Sequence, residues 1–280
     1  MTDPTSIRNV SDTALWVAVY RAMESERPDA LFHDPYARRL AGERGAAIAK
    51  KMRGARWSLV VRTAVMDEIL LRCLQQGVKT VLNLAAGLDA RPYRLPLDPT
   101  LRWIHVDLPD MVEYFRSQMA GEKPRCELTF VEADLRDGEQ RKKVFADAAA
   151  HGPVLAITEG LLIYLESDAV AGLARELHDI AKARWWLTDL ASPLLLKFNS
   201  RRGQSMLRNA PFRFAPAEGT AFFTPFGWHE AEFRSTWDDS FRLHRTMRWA
   251  WLWRLLLRLR SQRTQQAIRR IYATALLESG

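Results

Sequence analysis

Apolar residues recur at helical spacing in the chain up to Gly77. A helix capped around Ser11 is predicted to run through Tyr20, and a second is predicted to begin at Asp34. A third helix is predicted over residues 56–76, and Gly77 is a typical stop signal after it. We therefore expect this first region to form a helical cover without strands.

From Gly77 onward, short apolar runs alternate with helical stretches. The strand-like runs are Val81–Ala85, Trp103–Val106, Leu128–Val131, Val154–Thr158 and Trp185–Leu190. Helical spacing between them includes Met111–Ala120 and Ser167–Ala181. Such alternation is typical of a parallel sheet with helices on both faces. Residues 77–190 are therefore predicted to form an α/β core.

The pattern is less regular beyond this core. Residues 193–225 are rich in Phe, Arg and Pro, and we interpret 191–240 as an insertion that could cover a substrate. A helix is predicted to begin at Gly227-Trp228 and run through Thr236. The region 241–280 is predicted to form a strand, a helix and a closing strand, at Phe241–Met247, Trp249–Arg270 and Ile271–Leu277. We expect residues 1–280 to form a single domain.

Composition narrows the class of protein. Hydrophobic residues make up 48% of the chain, as in packed globular proteins. Cys73 and Cys126 are far apart and match no metal-binding spacing, so reduced thiols and no bound metal are expected. The polar N-terminal residues do not resemble a signal peptide, and no apolar stretch is long enough to span a membrane. These features predict a cytoplasmic protein.

The positive charge of the chain is concentrated in one segment. The formal net charge is +8, but residues 242–270 contain nine arginines and no acidic residue, so the rest of the chain carries −1. The protein therefore has a basic segment rather than a basic surface, and we expect no nucleic-acid partner.

Residues 249–260 combine tryptophan, leucine and arginine within this segment. Such a helix can lie on an anionic membrane, and its tryptophans could also stack on nucleic-acid bases. However, the apolar residues occupy nearly the full circumference, which favours packing on the domain or on a second copy. The three alternatives remain open, and the protein is expected to be a monomer or a homodimer.

Polar residues at the ends of the predicted strands indicate a ligand site. The strand at Val81 ends in a turn containing Gly87, and each later strand has an acid at its carboxyl end: Asp107, Asp134, Glu159 and Asp189. The carboxyl ends of parallel strands line one crevice, where open α/β sheets bind ligands. The crevice is therefore predicted to be acidic.

The turn after the first strand does not suit a phosphate. It contains a single glycine, Gly87, and then Asp89, which would repel a pyrophosphate. Asp107 lies 20 residues after Gly87, the separation expected for an acid that binds ribose hydroxyls. A nucleoside without phosphates fits these features, and S-adenosylmethionine is such a ligand.

Asn83–Arg91 (N-L-A-A-G-L-D-A-R) resembles the L-G-A-G-L-D-T-R signature of the leucine carboxyl methyltransferase family. This family is a branch of the class I S-adenosylmethionine-dependent methyltransferases and includes bacterial polyketide O-methyltransferases. Further matches follow in the family's order at Ser11–Ala14, Tyr20–Ser25, Phe32–Ala37, Val61–Thr63, His105–Pro109, Ala133–Leu135 and Thr158–Leu165. The similarity covers about residues 10–190, with a weaker match at Gly227-Trp228. Each motif is weak alone, but the ordered set is specific.

The resemblance implies a fold and a cofactor site. The fold would be Rossmann-like, with a mostly parallel seven-stranded sheet, helices on both faces and an N-terminal helical cover. The positions implied to bind S-adenosylmethionine are Arg62, Ala85, Gly87, Asp107, Leu108, Asp134, Leu135 and Glu159.

The family's motifs also imply individual roles. Arg62 would hold the methionine carboxylate, and Gly87 would let the backbone approach the methionine portion. Asp107 would bind the ribose hydroxyls, and Glu159 would lie near the sulfonium and amino groups. Asp134 would contact the exocyclic amine of adenine, beside Leu135.

Two residues depart from the family's signature. Ala85 stands where the pattern has glycine, and Ala90 stands where it has threonine. A Cβ atom at Ala85 would crowd the cofactor if the backbone there adopts a positive φ.

Methyl transfer from S-adenosylmethionine needs alignment more than proton transfer. A carboxylate acceptor needs no general base, whereas a hydroxyl acceptor benefits from one. The candidates to line the acceptor pocket are Tyr20, Arg21, Tyr164, Arg202 and His229. Arg21 could hold an acidic acceptor, but an ion pair with Glu24 or Glu26 is an equal alternative.

We therefore expect an O-methyltransferase that methylates a carboxylate or hydroxyl of a small molecule and releases S-adenosylhomocysteine. A polyketide-like metabolite or another secondary metabolite is the expected acceptor class. The alternatives are a protein C-terminal carboxyl methyltransferase and a non-catalytic protein that docks on a partner or a membrane. The aromatic residues of 212–233 favour an enclosed apolar pocket over an open groove.

Overall fold

Helices occupy the region before the first strand. The computed structural model describes residues 12–51, 56–202 and 210–280, so Ser11, the predicted cap, lies outside the described residues. The N-terminal helices are α1 (Asp12–Ser25), α2 (Ala37–Lys51) and α3 (Arg56–Gln75). Helix α2 is kinked at Gly42, whose φ is 58°. The helical interpretation of this region is confirmed.

Strands and helices then alternate as the apolar runs predict. The elements of this region are β1 (Thr80–Leu84), α4 (Arg91–Arg94), β2 (Arg102–Asp107), α5 (Pro109–Gln118), β3 (Glu127–Glu132), α6 (Gly138–Ala149), β4 (Val154–Thr158), α7 (Ser167–Asp179) and β5 (Ala183–Ala191). A 3₁₀ turn at Leu162–Tyr164 lies between β4 and α7. All five predicted strands exist, with ends shifted by two residues at most.

The C-terminal region contains α8 (Pro193–Arg202), a 3₁₀ helix (Gly219–Phe226), β6 (Trp228–Ser235), α9 (Thr236–Arg242), α10 (Ala250–Arg258), α11 (Gln262–Arg269) and β7 (Tyr272–Ser279). The predicted final strand over Ile271–Leu277 corresponds to β7.

The helix predicted from Gly227 through Thr236 is wrong, because most of this segment is strand β6. It pairs antiparallel with β7, and its register shifts between Glu230 and Glu232. The shift breaks the alternation of apolar and polar residues, so the sequence does not show a strand period. Pairing with β7 therefore decides the structure of this segment.

The strand predicted over Phe241–Met247 is also wrong. Helix α9 ends at Arg242, and turns follow it. The helix is favoured by Ser235, whose Oγ accepts a hydrogen bond from the backbone N–H of Asp238 at 3.4 Å. Asp238 and Asp239 in the first turn complement the helix dipole.

The single helix predicted over Trp249–Arg270 is instead two helices, α10 and α11. Ser261 separates them, since its Oγ accepts a hydrogen bond from the backbone N–H of Thr264 at 3.3 Å and caps α11. A serine cap inside a helical pattern thus turns the chain between the two helices.

The sheet has seven strands in the order β3-β2-β1-β4-β5-β7-β6. Strands β1 to β5 are parallel, and β7 runs antiparallel between β5 and β6. The chain order reverses between β1 and β4, and such a switch point is where a ligand crevice opens. The predicted fold class is confirmed.

Helices pack on both faces of this sheet. Leu82 of β1 packs in one core with Phe145 of α6 and Leu177 of α7. The neighbouring Val81 points to the other face, into a core with Met66 of α3. A further core joins α1 and α2 to the segment after β1 and to α5. The N-terminal helices thereby cover the carboxyl ends of the strands.

Membrane-spanning helices and clustered metal ligands are both absent from the described residues. No helix among them is long and apolar enough to cross a membrane. No group of three or more His, Cys, Asp or Glu side chains within the same residues could hold a metal ion. Both cysteines, Cys73 and Cys126, are free and buried.

Candidate active site

A cavity of ≈ 2010 Å³ opens at the carboxyl ends of the strands. Its floor is formed by the segment Asn83–Asp89 and by the strand-end residues Asp107, Glu159 and Asp189. Its walls include side chains of α1, α3, α10 and α11. The cavity therefore lies at the switch point of the sheet, where the sequence predicts the ligand site.

The turn after β1 has an unusual backbone. Ala85 has a φ of 49° and Gly87 a φ of 55°, so both occupy the left-handed region. Glycine adopts this region freely, whereas a Cβ atom makes it costly. Asn83 donates a hydrogen bond to Asp89 at 2.8 Å and holds the two ends of the turn together. The positive φ that would make Ala85 unfavourable is thus present.

Asp107 is held rigidly at the end of β2. Its Oδ2 accepts a hydrogen bond from the N–H of Gly87 at 2.6 Å, and its Oδ1 accepts one from the N–H of Leu108 at 2.7 Å. Burial raises the pKa of the Asp107 carboxyl, and the two backbone hydrogen bonds oppose the rise. Both oxygens keep a second lone pair that can accept from a diol.

Arg62 and Glu159 form an ion pair beneath the cavity. The Nη2 of Arg62 lies 2.9 Å from Oε1 of Glu159, and its Nη1 lies 3.4 Å from Asp189. The Nη1 of Arg91 contacts Oε2 of Glu159 at 2.7 Å. Burial raises the pKa of the Glu159 carboxyl, but Arg91 and Arg62 outweigh it and hold the pKa well below its ordinary value.

Buried ion pairs continue from these residues into the helical cover. Arg91 contacts Asp67 of α3 at 2.6 Å, and Arg94 contacts the same carboxylate at 2.7 Å. Among the described residues, the ion pairs connected to Arg91 and Glu159 join four arginines and five carboxylates, namely Arg21, Arg62, Arg91, Arg94, Asp34, Asp67, Asp89, Glu159 and Asp189. The network therefore carries one more negative than positive charge and favours a cationic ligand.

The predicted adenine contacts lie at the end of β3. Asp134 and Leu135 both line the cavity. Asp134 forms an exposed ion pair with Arg136 at 2.6 Å, and this contact lowers the pKa of the Asp134 carboxyl. Arg136 is a long exposed side chain, so it can move aside when a ligand donor approaches Asp134.

The acceptor candidates separate into two groups. Arg21 and Tyr164 line the cavity. Tyr20 is buried against Trp16 with ring centres 5.9 Å apart, and it is not part of the lining. His229 is exposed on β6, opposite Glu278 of β7, away from the lining residues. The side chain of Arg202 lies outside the described residues.

Arg21 has a different partner from those that the sequence suggests. Its Nε donates to Asp34 at 2.9 Å, and its Nη2 donates to the carbonyl oxygen of Leu88. Glu24 instead pairs with Arg245, and Glu26 pairs with Arg38. The ion pair with Glu24 or Glu26 is therefore wrong, and Arg21 joins α1 to the turn after β1.

The site contains residues that the sequence analysis does not identify. Asp67 gave one usable signal, because it is a charged residue among the apolar positions of the third predicted helix. Tyr272 could not be identified from the sequence. Its hydroxyl accepts a hydrogen bond from Arg62 at 2.9 Å, but the two residues are 210 positions apart in the chain. The sequence shows Asp189 as an acid at a strand end and Arg91 as part of the signature. It does not show that they pair with Arg62 and Glu159.

The rest of the cavity wall is largely apolar. The aromatic side chains of this wall include Trp16, Trp57, Phe212, Trp237 and Trp253. The aromatic residues of 212–233 were expected to line the cavity, but most of them do not. They pack instead around Trp186 in the core beside α7. The apolar pocket therefore exists, but other segments supply most of it.

The fold and the floor of the cavity together define the class. A mostly parallel seven-stranded sheet, with a rigid carboxylate at the end of β2 beside a tight turn, is the Rossmann-like class I S-adenosylmethionine-dependent methyltransferase fold. The chain belongs to the leucine carboxyl methyltransferase family, whose model matches residues 14–178.

Relatives agree with this assignment. A protein of Streptomyces coelicolor, assigned as an S-adenosyl-L-methionine-dependent methyltransferase, is 37% identical over 171 residues, which are 56% of this chain and 60% of that protein. A protein of Streptomyces avermitilis with the same assignment is 29% identical over 231 residues, 77% of this chain and 82% of that protein. The chain matches less than two thirds of the length of the first of these relatives.

Solved structures show the same fold. A DUF574 family protein from Streptomyces avermitilis has a TM-score of 0.57 at 14% identity, over 94% of this chain and 97% of that one. A methyltransferase-type structure from Thermobifida fusca has a TM-score of 0.56 at 18% identity, over 87% of this chain and 92% of that one. At these identities the likeness concerns the fold alone.

Proposed function

We propose that this protein transfers a methyl group from S-adenosylmethionine to a carboxylate oxygen of an apolar small molecule, giving a methyl ester and S-adenosylhomocysteine. The observation that carries the proposal is the Asp107 carboxylate, fixed by the N–H groups of Gly87 and Leu108 at the floor of the cavity. A rigid carboxylate beside a tight turn suits a ribose without a phosphate.

The residues on the cavity floor fit this cofactor. Asp107 would accept hydrogen bonds from the ribose hydroxyls, and the turn at Gly87 lets the backbone approach the methionine portion. Arg62 would bind the methionine carboxylate, with Glu159 near the amino group. Asp134 and Leu135 would contact adenine from the end of β3.

The charge of the buried network supports a cationic cofactor. The network has one carboxylate more than it has arginines. The methionine end of S-adenosylmethionine carries a sulfonium, an ammonium and a carboxylate, and therefore a net positive charge. Binding would thus neutralise a buried excess charge, which otherwise costs free energy.

A carboxylate acceptor fits the cavity better than a hydroxyl acceptor. Among the described residues, no histidine lines the cavity. Ion pairs hold the pKa of Glu159 well below its ordinary value, so this carboxylate is a weak proton acceptor. A carboxylate acceptor is already a nucleophile and needs no base. Methylation of a hydroxyl remains the alternative.

The chain's own residues would orient the acceptor and exclude water from the cavity. The cofactor supplies an activated methyl group. Arg21 and Tyr164 would orient the acceptor carboxylate, since both line the cavity. The apolar wall would hold the carbon skeleton of the acceptor and exclude water, which keeps the reacting oxygen poorly solvated and aligned. A polyketide-like metabolite has such a skeleton.

Two measurements test the proposal. Calorimetry should show that S-adenosylhomocysteine binds the protein, that Asp107→Asn weakens binding by about tenfold or more, and that the control Asp110→Asn leaves it unchanged. Asp110 is an exposed carboxylate three residues away in α5. Absence of heat with the unaltered protein would overturn the cofactor assignment.

The acceptor class needs a separate experiment. Labelled S-adenosylmethionine is incubated with the protein and panels of carboxylated and phenolic apolar compounds, and products are identified by mass. Base-labile methyl esters are expected. A base-stable ether would favour the hydroxyl alternative, and label on a protein C-terminus would favour the protein carboxyl methyltransferase.

A further inference from the structure

Helix α10 presents a leucine stripe to solvent. Leu252, Leu255, Leu256 and Leu259 follow the i, i+3, i+4, i+7 spacing that places side chains on one side of a helix. Leu255 is 51% exposed and Leu259 is 79% exposed. Ala250 is the one buried residue of the helix. The prediction that this segment packs on the domain is therefore wrong for its exposed leucines and tryptophans.

Tryptophans border the leucine stripe on both sides. At 100° per residue, Trp251 and Trp253 fall about 90° to 110° from the centre of the stripe, in opposite directions. Trp251 is 63% exposed, and Trp253 is also exposed. Indole rings at the border of an apolar face are typical of helices that lie at a membrane interface, where one end of the ring is apolar and the other is wet.

Arginines surround the stripe. At 100° per residue, Arg254 lies about 150° from the centre of the stripe and Arg258 about 110°, and Arg248, Arg260 and Arg263 flank the ends of α10. Within residues 12–51, 56–202 and 210–280, none of these five arginines has a carboxylate within ion-pair distance. The guanidinium of Arg254 lies 4.5 Å from the ring centre of Phe241, so the polar side of α10 faces the domain. The leucine stripe is therefore exposed between positive charges that have no carboxylate partner among the described residues.

We propose that α10 docks the protein on an anionic lipid surface. An apolar stripe with tryptophan borders and flanking arginines matches the acyl region, the interface and the anionic headgroups of a bilayer. A second copy fits less well, because a symmetric pair would bring the two sets of unpaired arginines together. Nucleic acid would satisfy the arginines but would leave the leucines in water.

The docking surface is continuous with the cavity. Trp253, Leu256 and Leu259 are exposed and also line the cavity, so they form part of its rim. Docking would bring this rim to the lipid, so that an apolar acceptor could enter without crossing water. This consequence rests on the proposed function, whereas the docking itself does not.

Vesicle sedimentation with the full chain tests the proposal. The protein should bind vesicles of phosphatidylcholine mixed with phosphatidylglycerol, should bind phosphatidylcholine alone weakly, and should be released by high salt. The variant Leu252→Gln/Leu255→Gln should lose binding by at least about tenfold. Arg258→Gln/Arg263→Gln should lose about fivefold for each arginine replaced. None of these four residues lines the cavity.

Controls separate docking from the cofactor site. Lys143→Gln removes an exposed charge on α6 and should leave vesicle binding unchanged. The docking variants should keep the affinity for S-adenosylhomocysteine, and Asp107→Asn should still bind vesicles. Equal binding to neutral and anionic vesicles by all variants would overturn the proposal. The proposal would also be overturned if light scattering showed a dimer that Leu252→Gln/Leu255→Gln converts to a monomer. Retardation of an oligonucleotide in a gel, without vesicle binding, would overturn it as well.

Discussion

Arg62 and Glu159 are 97 residues apart in the chain and form a buried ion pair, with Nε of Arg62 3.0 Å from Oε1 of Glu159. The pair joins α3 of the helical cover to the end of β4. Arg91 donates to the other carboxylate oxygen, so one glutamate contacts two arginines. The cover and the sheet are therefore held together at the place where the cofactor is proposed to bind.

The variant Glu159→Gln should be strongly destabilised at neutral pH. The amide offers one neutral acceptor oxygen in place of two charged ones, so the charge-assisted hydrogen bonds from Arg62 and Arg91 are lost or weakened, and each is worth about 1.5–3 kcal/mol. Because the folded-state pKa of Glu159 is depressed, its stabilisation is complete above the unfolded pKa of about 4.3 and is lost as pH falls further. Urea unfolding should therefore show that the difference between the two proteins shrinks from pH 7 to pH 3.

A matched control is Glu166→Gln. Glu166 forms an exposed ion pair with Arg213, and an exposed pair contributes less than about 1 kcal/mol. Equal destabilisation by both variants, or a constant difference across pH, would contradict the role given to the buried pair.

Ala85→Gly should stabilise the protein. Ala85 adopts a φ of 49°, and a Cβ atom in the left-handed region costs about 1–2 kcal/mol, part of which the greater entropy of an unfolded glycine offsets. The expected net gain of about 1 kcal/mol corresponds to an increase in Tm of about 2–4 °C. Calorimetry should detect this increase.

The neighbouring residue provides the control for that experiment. Ala86 does not have a positive φ, so Ala86→Gly should instead cost about 0.5–1 kcal/mol. Opposite signs at adjacent alanines would identify backbone strain as the cause. If both glycines lower the Tm, then Ala85 is not strained.

The sheet core and the position of the cavity floor are the parts that the sequence predicts well. Strands such as β4 are short apolar runs that end in a polar residue, so their local pattern is enough to find them. Asp107 could be placed beside the turn at Gly87 because its distance from Gly87 along the chain reflects the geometry of one strand–helix–strand unit. Local spacing and local structure agree in this region.

The C-terminal strands, the contacts of Tyr272 and the exposure of α10 depend on contacts between segments that are distant in the chain. Strand β6 is not visible in the sequence, because a bulge interrupts its alternation and β7 supplies the pairing. The hydroxyl of Tyr272 also donates to Asp189 at 2.7 Å, and this contact arises only when the last strand inserts beside β5. The apolar circumference of α10 indicated burial, yet its stripe faces solvent, because periodicity does not reveal what covers a helix.

Tyr164→Phe should weaken binding of the acceptor without affecting the cofactor. Burial raises the pKa of the Tyr164 hydroxyl, so it stays protonated and can donate to an acceptor carboxylate. A hydrogen bond to a charged group is worth about 1.5–3 kcal/mol, so KM for the acceptor should rise by about tenfold or more. Initial rates and calorimetry with S-adenosylhomocysteine measure the two effects.

Tyr114→Phe is the control for that variant. The hydroxyl of Tyr114 donates to the carbonyl oxygen of Leu40 at 2.9 Å, outside the cavity lining, so its loss should leave KM unchanged. A fall in cofactor affinity for Tyr164→Phe, with KM unaltered, would contradict the proposed contact with the acceptor.

His105→Leu should make the protein less sensitive to acid. His105 is buried between Phe115 and Phe130, with ring centres at 4.9 and 5.2 Å, and burial lowers its pKa to about 4. The ordinary pKa of about 6.5 applies in the unfolded state, so between pH 6.5 and pH 4 the unfolded chain binds a proton that the native imidazole does not. The free energy of unfolding therefore falls as the pH falls through this range. The loss amounts to about 3 kcal/mol. Urea unfolding of His105→Leu should lack this part of the decline, whereas an exposed-site control, His229→Leu, should retain it. A decline of equal size in all three proteins would show that other groups cause the acid sensitivity.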